Sequence, residues 1–217
     1  MGKGEDRLRI TEIFLSLQGE ADAVGWPTVF VRLTGCPLRC SYCDTEYAFT
    51  GGETLTLTQI IEQVSALGVP HVCVTGGEPL SQKAVQPLMS SLCELQYNVS
   101  LETSGALPID DVDKRVSIVM DLKTPSSDEV EKNLYSNLQH LKNSDQIKLV
   151  IADRADYDWS KKIIEERALC DRATVLLSPA FGQLQARELA QWIIDDRLNV
   201  RMQLQLHKIL WGDEQGR

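Results

Sequence analysis

Runs of β-branched and other apolar residues alternate along this chain with amphipathic segments of helical length, and this alternation restricts the fold more than any other feature. After an apolar amino-terminal segment, ITEIFLSL at 10–17, we predict about seven strands. They are TVFVRL at 28–33, HVCVT at 71–75, NVSLE at 98–102, VSIVMDL at 116–122, QIKLVI at 146–151, TVLLS at 174–178 and VRMQLQL at 200–206. Strands that alternate with helices typically form a parallel sheet with crossover helices.

Helices are predicted between most of these strands. TLTQIIEQVSALG at 56–68 has the helical period, with a capping box from Thr56 to Gln59 and Gly68 as its stop. Further helices are predicted from near Pro87, from SSDE at 126–129, over about 156–169 and over about 184–196. The strand count favours an α/β fold of the partial (β/α) barrel type over an open doubly wound sheet. No linker or repeat divides the chain, so a single domain over 1–217 is expected.

Polar and glycine-containing motifs follow the ends of successive strands. CPLRCSYC at 36–43 follows the first barrel strand, TGGEP at 75–79 the second, ETSG at 102–105 the third, DLKTP at 121–125 the fourth and SPA at 178–180 the sixth. The carboxyl ends of parallel strands meet at one edge of a sheet or barrel, where ligands bind. We therefore expect these motifs to form one site.

Cys36, Cys40 and Cys43 lie within one short loop-like stretch and have no fourth cysteine nearby. A structural zinc site normally has four protein ligands, which here would require His71 or His207 from remote parts of the chain. A 4Fe-4S cluster held by three thiolates instead leaves one iron open to a ligand that is not protein. The pattern therefore favours an iron-sulfur cluster over zinc.

Composition excludes several classes of partner. The net charge of −9 and the absence of a basic run disfavour nucleic acid. Without a signal-peptide pattern or a run of about 18 apolar residues, we expect no membrane association and a cytoplasmic location. Cysteines in that reducing compartment do not form a disulfide framework. Cys73, Cys93 and Cys170 lie singly in apolar contexts and are predicted to fill the core.

The cysteine spacing, with Tyr42 just before the third cysteine, resembles the signature of the radical S-adenosylmethionine enzymes. In that superfamily the open iron chelates the amino and carboxylate groups of S-adenosylmethionine. Reductive cleavage of the sulfonium bond then releases a 5′-deoxyadenosyl radical, which abstracts hydrogen from the substrate.

Five further segments narrow the resemblance. SLQGE at 16–20, FVRLTGCPLRCSYCDT at 30–45, VTGGEP at 74–79, LETSG at 101–105 and LQLHK at 204–208 together resemble the 7-carboxy-7-deazaguanine synthases of queuosine biosynthesis, a tRNA modification pathway. The resemblance implies a homodimeric lyase with a reduced radical S-adenosylmethionine barrel. Its small-molecule pterin substrate, 6-carboxy-5,6,7,8-tetrahydropterin, is contracted to 7-carboxy-7-deazaguanine with loss of ammonia. A 4Fe-4S cluster, regenerated S-adenosylmethionine, Mg²⁺ and a flavodoxin-type electron donor are also implied.

The resemblance assigns roles to individual residues. The implied cluster ligands are Cys36, Cys40 and Cys43. The implied S-adenosylmethionine contacts are Tyr42, Cys43, Asp44, Gly76, Gly77, Glu78, Gly105, Asp121, Leu122 and Lys123. The implied substrate contacts are Leu17, Gln18, Gly19, Glu20, Arg32, Thr103 and His207. A pterin edge suits Gln and Glu partners, and a carboxylate suits the planar guanidinium of Arg32. Thr45 is the implied magnesium ligand, although the preference of magnesium for charged oxygens would favour Asp44.

Two features depart from the family pattern. Where some members have Ser-Pro-Lys, this chain has Asp121-Leu122-Lys123, so only backbone contacts are expected to be kept at the first two positions. Some members end soon after the HK pair and use the terminal carboxylate near the substrate. Here ILWGDEQGR follows that pair, and no such role is assigned to Arg217.

Two other functions compete with this prediction. An enzyme that installs a glycyl radical in a partner protein is disfavoured by the compact chain and by the lack of an additional cysteine cluster. An iron-sulfur electron carrier would normally hold its cluster with four protein ligands, and it would not use the TGGEP and ETSG loops. Formation of 5′-deoxyadenosine from S-adenosylmethionine distinguishes the enzyme from the carrier.

Overall fold

The computed structural model describes residues 6–212 and 214–216, which are organised around one mixed sheet. Its strands are β1 Arg7–Leu17, β2 Pro27–Leu33, β3 Glu53–Thr56, β4 His71–Gly76, β5 Asn98–Thr103, β6 Ser117–Asp121, β7 Gln146–Ile151, β8 Thr174–Pro179 and β9 Arg201–Met202. Their order is β3-β1-β2-β4-β5-β6-β7-β8-β9. All neighbours from β2 onward pair in parallel, whereas β1 is antiparallel to β2 and β3. The sheet ends at β3 and β9, so it forms an open partial barrel, as predicted.

Four helices lie in the crossover connections and a fifth follows the last strand. They are α1 Leu57–Ala66, α2 Val85–Glu94, α3 Arg154–Glu166, α4 Ala186–Asp196 and α5 Leu206–Trp211. The predicted capping box of Thr56 and Gln59 is confirmed, and Gly68 follows α1 with a φ of +70°. Within the described ranges, none of the helices has the length and apolar character needed to cross a membrane.

The helix predicted from SSDE is wrong. The segment instead forms three short 3-10 turns at Pro125–Ser127, Val130–Lys132 and Tyr135–Gln139. The Ser127 hydroxyl donates to the Thr124 carbonyl, and Asp128 adopts a left-handed conformation with φ 62°. Local side-chain bonds to the backbone compete with a regular helix, which explains the difference.

The prediction for VRMQLQL is only partly correct, and two short elements were not predicted. Only Arg201–Met202 extends the sheet, and the chain then leaves it to begin α5 at Leu206. The missed strand β3 has four residues and pairs with the distant start of β1. Elements this short have too few residues to show a hydrophobic period in the sequence.

Alternation along the parallel strands divides their side chains between two environments. On β7, Ile147, Leu149 and Ile151 belong to the hydrophobic core, whereas Lys148 and Val150 line a large cavity on the other face. The other strand residues that line this cavity are Phe30, Arg32, Thr75, Gly76, Glu102, Thr103, Val119, Asp121 and Ser178. The period of two therefore builds a core and a polar cavity from the same strands.

The three isolated cysteines lie away from that cavity. Cys73 and Cys93 are buried in the core, which confirms the prediction for them. Cys170 is half-buried and packs against the core, with its Sγ 3.1 Å from the Asn199 carbonyl oxygen.

Asp156, in the first turn of α3, joins that helix to the 3-10 segment. Its carboxylate is fully buried and accepts hydrogen bonds from the backbone N–H groups of Ser126 at 2.9 Å and Ala152 at 3.0 Å. The Ser41 backbone N–H and hydroxyl donate in turn to the carbonyls of Ser127 and Ser126. One buried carboxylate thus supports a segment on which the cysteine loop rests.

We expect Asp156→Ala to lower the free energy of unfolding by about 2–4 kcal/mol, because two buried N–H groups lose their acceptor. Asp153→Ala is the matched control, since Asp153 only caps α3 by accepting from the Asp156 N–H and its loss costs about 1 kcal/mol. Urea denaturation measures both. Equal losses in the two variants would contradict the structural role of Asp156.

Candidate active site

A cavity of about 530 Å³ opens at the carboxyl ends of the parallel strands, a volume typical of small-molecule sites. It gathers most of the residues that the sequence implicated: Leu17, Gln18, Glu20, Arg32, Cys36, Cys40, Tyr42, Cys43, Asp44, Thr45, Gly76, Gly77, Thr103, Asp121, Lys123 and His207. Gly19, Glu78, Gly105 and Leu122 do not line it. The motifs that follow successive strands therefore meet, as the parallel topology required.

The cysteine loop is packed against the TGGEP turn through backbone contacts. A Cβ at Gly76 would lie 2.3 Å from the Leu33 carbonyl oxygen, and one at Gly77 would lie 2.2 Å from that of Gly35 and 2.9 Å from the Cβ of Cys36. Gly76 also has a φ of +145°, which side-chain-bearing residues rarely adopt. Only glycine fits at these two positions, so the turn fixes where the cysteine loop begins.

Cys36, Cys40 and Cys43 are free, half-buried thiols that line the same cavity. Burial raises the pKa of each thiol, and the positive charge of Lys123 acts in the opposite direction on all three. A cation beside three thiols supports their binding as thiolates.

The donor set fits a 4Fe-4S cluster better than zinc. Among residues 6–212 and 214–216, no group of three or more His, Cys, Asp or Glu side chains forms a site for a single metal ion. A four-iron cluster presents a separate iron to each thiolate and does not require them around one ion. His71 stacks on Trp26 with ring centroids 5.3 Å apart and does not line the cavity, so it does not complete a zinc site.

A chain of alternating charges crosses the cavity wall. Lys123 Nζ lies 2.8 Å from Asp121 Oδ2, and Lys148 Nζ lies 3.3 Å from Asp121 Oδ1 and 2.8 Å from Glu20 Oε2. Burial alone would raise the pKa of Asp121, but the two lysines hold it below its usual value. Burial likewise opposes the charge of Lys148, and Asp121 and Glu20 raise its pKa well above the usual value. Asp121 and Lys148 are therefore both charged.

Asp121 Oδ1 is buried, and its contact among the described residues is the ion pair with the Lys148 ammonium at 3.3 Å. A carboxylate oxygen held by one long ion pair keeps acceptor capacity for an O–H or N–H donor. S-adenosylmethionine carries such donors on its ribose and amino groups. The Asp121 carboxylate and the glycine turn therefore fit the implied cofactor.

Glu20 is the centre of a second polar group. Its Oε2 accepts from Gln203 Nε2 at 3.1 Å as well as from Lys148, and its Oε1 accepts from Gln205 Nε2 at 2.9 Å. Gln18 is also buried, and it donates to Glu102 Oε1 at 3.2 Å. These contacts orient Gln18 and Glu20 of the SLQGE motif.

Arg32 is held from three sides. Its Nε donates to Glu12 Oε1 at 2.7 Å, and its guanidinium carbon lies 5.7 Å and 5.8 Å from the ring centroids of Phe14 and Tyr47. The Tyr47 hydroxyl donates to the same Glu12 oxygen at 2.8 Å. Among the described residues, no hydrogen bond engages the two terminal nitrogens of the guanidinium, which suit a carboxylate ligand.

His207 reaches the cavity because residue 19 is glycine. A Cβ on Gly19 would lie 2.1 Å from His207 Nδ1, and the Leu206 N–H donates to the Gly19 carbonyl at 3.0 Å. Burial lowers the pKa of His207, so the imidazole is neutral near pH 7. Gly19 thus supports the site through packing. Residues 214–216 also line the cavity, whereas Arg217 lies outside the described residues.

Glu78 is placed differently from its implied role. It is fully buried, and its carboxylate accepts from the Leu80 and Ser104 N–H groups and from the Thr103 and Ser104 hydroxyls. Gly105 and Leu122 are also buried, and their chain neighbours Ser104, Asp121 and Lys123 line the cavity. Contact of Glu78 with S-adenosylmethionine stays a prediction. In this structure its carboxylate ties the TGGEP turn to the ETSG loop.

Asp44 and Thr45 form a polar pair at the end of the cysteine loop. The Thr45 hydroxyl donates to Asp44 Oδ1 at 2.7 Å. Burial alone would raise the pKa of Asp44, but this bond and the charges of Lys148, Lys208 and Arg32 hold it below its usual value. The pair offers a carboxylate and a hydroxyl oxygen to a cation.

The sequence reasoning missed Glu12, Tyr47, Glu102 and Lys148. A signal for two of them was present, because Glu102 ends NVSLE and Lys148 interrupts the apolar QIKLVI. Strand alternation turns these two positions toward the same face as Arg32 and Asp121. The contacts of Glu12 and Tyr47 depend on tertiary packing and have no comparable signal.

Comparisons with known proteins agree with this geometry. The family model of the radical SAM superfamily matches residues 30–166. The chain is 46% identical over 213 residues to the 7-carboxy-7-deazaguanine synthase of Chlorobaculum tepidum, with 97% of each chain covered. It is 39% identical to that of Koribacter versatilis, with 95% of this chain and 98% of the relative covered.

The fold is also similar to the crystal structure of QueE from Escherichia coli. The TM-score is 0.77 at 22% identity, with 93% of this chain and 95% of that chain covered. Together with the sequence matches over nearly the whole chain, these findings show that the chain belongs to the 7-carboxy-7-deazaguanine synthase family of the radical SAM superfamily.

Proposed function

We propose that the protein is a 7-carboxy-7-deazaguanine synthase, which converts 6-carboxy-5,6,7,8-tetrahydropterin to 7-carboxy-7-deazaguanine and ammonia. The observation that carries the proposal is one cavity with three cysteine thiols on one side and Gln18, Glu20 and Arg32 on another. Substrate and product differ by one molecule of ammonia, so the reaction balances without a net oxidant. This balance agrees with the regeneration of S-adenosylmethionine.

In the proposed loaded site, Cys36, Cys40 and Cys43 hold the 4Fe-4S cluster. The Gly76–Gly77 turn, Asp121 and Lys123 line the S-adenosylmethionine subsite. When bound, the two groups supply reductive cleavage and hydrogen abstraction. The backbone at Glu78, Gly105 and Leu122 supports that subsite, because these buried residues are adjacent in the chain to Gly77, Ser104 and Asp121, which line the cavity.

The substrate subsite lies along β2 and the SLQGE loop. Arg32 binds the substrate carboxylate through its terminal nitrogens, since Glu12 already occupies Nε. Glu20 Oε1 has one protein donor and keeps a lone pair for a pterin N–H. Leu17, Thr103 and the neutral His207 complete the subsite, and Gly19 makes room for the imidazole.

We further propose a Mg²⁺ site at Thr45, a homodimer, a flavodoxin-type electron donor and a cytoplasmic location for this single-domain enzyme. The Asp44 and Thr45 oxygens support the magnesium site. The continuous core that packs β1 to β9 against α1 to α4 supports a single domain.

The proposal is tested by anaerobic incubation of the reconstituted protein with carboxytetrahydropterin, S-adenosylmethionine, Mg²⁺ and a reductant. Mass spectrometry should detect a product that is lighter than the substrate by one ammonia. If 5′-deoxyadenosine forms with other small substrates but not with the pterin, the proposed substrate is wrong. If S-adenosylmethionine is not cleaved at all, the proposed enzyme class is wrong.

We expect Cys40→Ala to lose both the iron-sulfur absorbance and turnover, because two thiolates hold the cluster poorly. Cys93→Ala is the control, since Cys93 belongs to the hydrophobic core on α2 and its loss should affect stability alone, by a few kcal/mol at most. Iron content, visible absorbance and product formation are measured for both. Retained turnover in the Cys40→Ala protein would contradict the assignment of Cys40 as a cluster ligand.

Arg32→Lys keeps the charge and loses the guanidinium fork, so the affinity for the pterin should fall about tenfold or more. Cluster absorbance and melting temperature should change little. Arg115→Lys is a control away from the cavity, where the arginine pairs with Asp113. If the Arg32→Lys protein melts far below the parent and its folded fraction binds pterin normally, Arg32 is structural.

Thr45→Ser should keep magnesium-stimulated turnover because the hydroxyl remains, whereas Thr45→Ala should lose most of the stimulation with its cluster intact. A neutral protein ligand suffices when the substrate carboxylate and water complete the octahedral shell. Turnover is measured over a magnesium titration. A Thr45→Ala protein that responds as the parent does would move the ligand elsewhere, with Asp44 as the first alternative.

A further inference from the structure

Lys148 is a charged residue in the middle of an otherwise apolar strand. Its ammonium lies inside the cavity, 2.8 Å from Glu20 Oε2 and 3.3 Å from Asp121 Oδ1. Burial of an ammonium is unfavourable unless partners offset the loss of hydration. The neighbours of Lys148 on β7, Ile147 and Leu149, pack into the core on the other face. Lys148 therefore serves the cavity and not the core.

The two partners of Lys148 belong to different parts of the cavity. Glu20 follows Gln18 in the SLQGE loop, and it also holds Gln203 and Gln205. Asp121 ends β6 and pairs with Lys123, whose charge acts on the three cysteine thiols. The ammonium of Lys148 thus links the proposed substrate side of the cavity to its proposed cofactor side.

Two carboxylates that approach one nitrogen this closely would repel each other without it. Both oxygens lie within 3.3 Å of Lys148 Nζ. An intervening cation converts this repulsion into two attractions in a medium of low polarity. Lys148 therefore fixes the separation of Glu20 and Asp121.

Both carboxylates keep acceptor capacity for ligands. Among the described residues, Glu20 Oε1 accepts from Gln205 alone, and Asp121 Oδ1 has only the ion pair with Lys148. We propose that Lys148 is a positioning residue that holds Glu20 for the pterin and Asp121 for S-adenosylmethionine, so that the two ligands bind at the correct distance from each other. This inference rests on the proposed function. It adds a residue that touches neither the cluster nor the reacting atoms.

Binding is tested with 6-carboxypterin, the fluorescent oxidised analogue of the substrate, and with S-adenosylmethionine in equilibrium dialysis. Lys148→Met should weaken binding of the pterin about tenfold. In a Glu20→Gln background the same change should weaken it less than about threefold, because the charge that Lys148 holds is gone. Lys161→Met is the control, since Lys161 pairs with Asp196 between α3 and α4.

Turnover supplies a second measurement. Poorly aligned ligands should uncouple the reaction, so the ratio of 5′-deoxyadenosine to product should rise about tenfold in Lys148→Met and stay near the parent ratio in Lys161→Met. Lys148→Gln, which keeps an N–H donor and loses the charge, should show the same pattern at smaller size. If Lys148→Met does not fold, the Lys148→Gln variant is measured in its place.

Equal weakening of pterin binding in the parent and Glu20→Gln backgrounds, or an unchanged ratio of 5′-deoxyadenosine to product, would overturn the positioning role while leaving the proposed function intact. A parent protein that binds no 6-carboxypterin and forms no product would overturn the proposed function and the role of Lys148 with it.

Discussion

Two adjacent glycines pack so closely against the end of β2 that no Cβ atom fits at either position. This contact of Gly76 and Gly77 with the 33–36 backbone brings the TGGEP turn against the first cysteine. Glu78, the next residue, then ties the turn to the ETSG loop through a fully buried carboxylate. Backbone packing and one buried carboxylate therefore hold three strand-end loops together, and this packing fixes the position of the thiols in the cysteine loop.

The parallel strands place a second constraint on the site. The outward side chains of these strands form the hydrophobic core. The inward side chains can carry charge only where groups of opposite charge offset the cost of burial. Lys123, Asp121, Lys148 and Glu20 do so in an alternating chain. A charged wall of this kind is weak evidence for stability, because buried ion pairs often gain little over apolar side chains. Its place in the cavity instead fits ligand binding.

Much of this architecture could be predicted from the sequence because long apolar strands and helix caps are local signals. The positions of most strands along the chain, the capping box at Thr56 and the gathering of the cysteine and glycine motifs followed from periodicity and from parallel topology. The segment after Pro125 was misjudged because the Ser127 hydroxyl bonds to backbone within its own turn and the Ser126 N–H is bound by the distant Asp156 carboxylate of α3. Pairings such as Lys148 with Glu20, which are 128 residues apart, depend on tertiary register and leave no local pattern.

The central claim is that one cavity holds the cluster and the pterin on facing sides. A crystal structure of the reconstituted protein with S-adenosylmethionine and 6-carboxypterin tests it most directly, through iron anomalous scattering and ligand density. The account predicts iron at Cys36, Cys40 and Cys43, with the pterin carboxylate against Arg32 and its ring beside Glu20. Iron held by other residues, or pterin density outside this cavity, would contradict it.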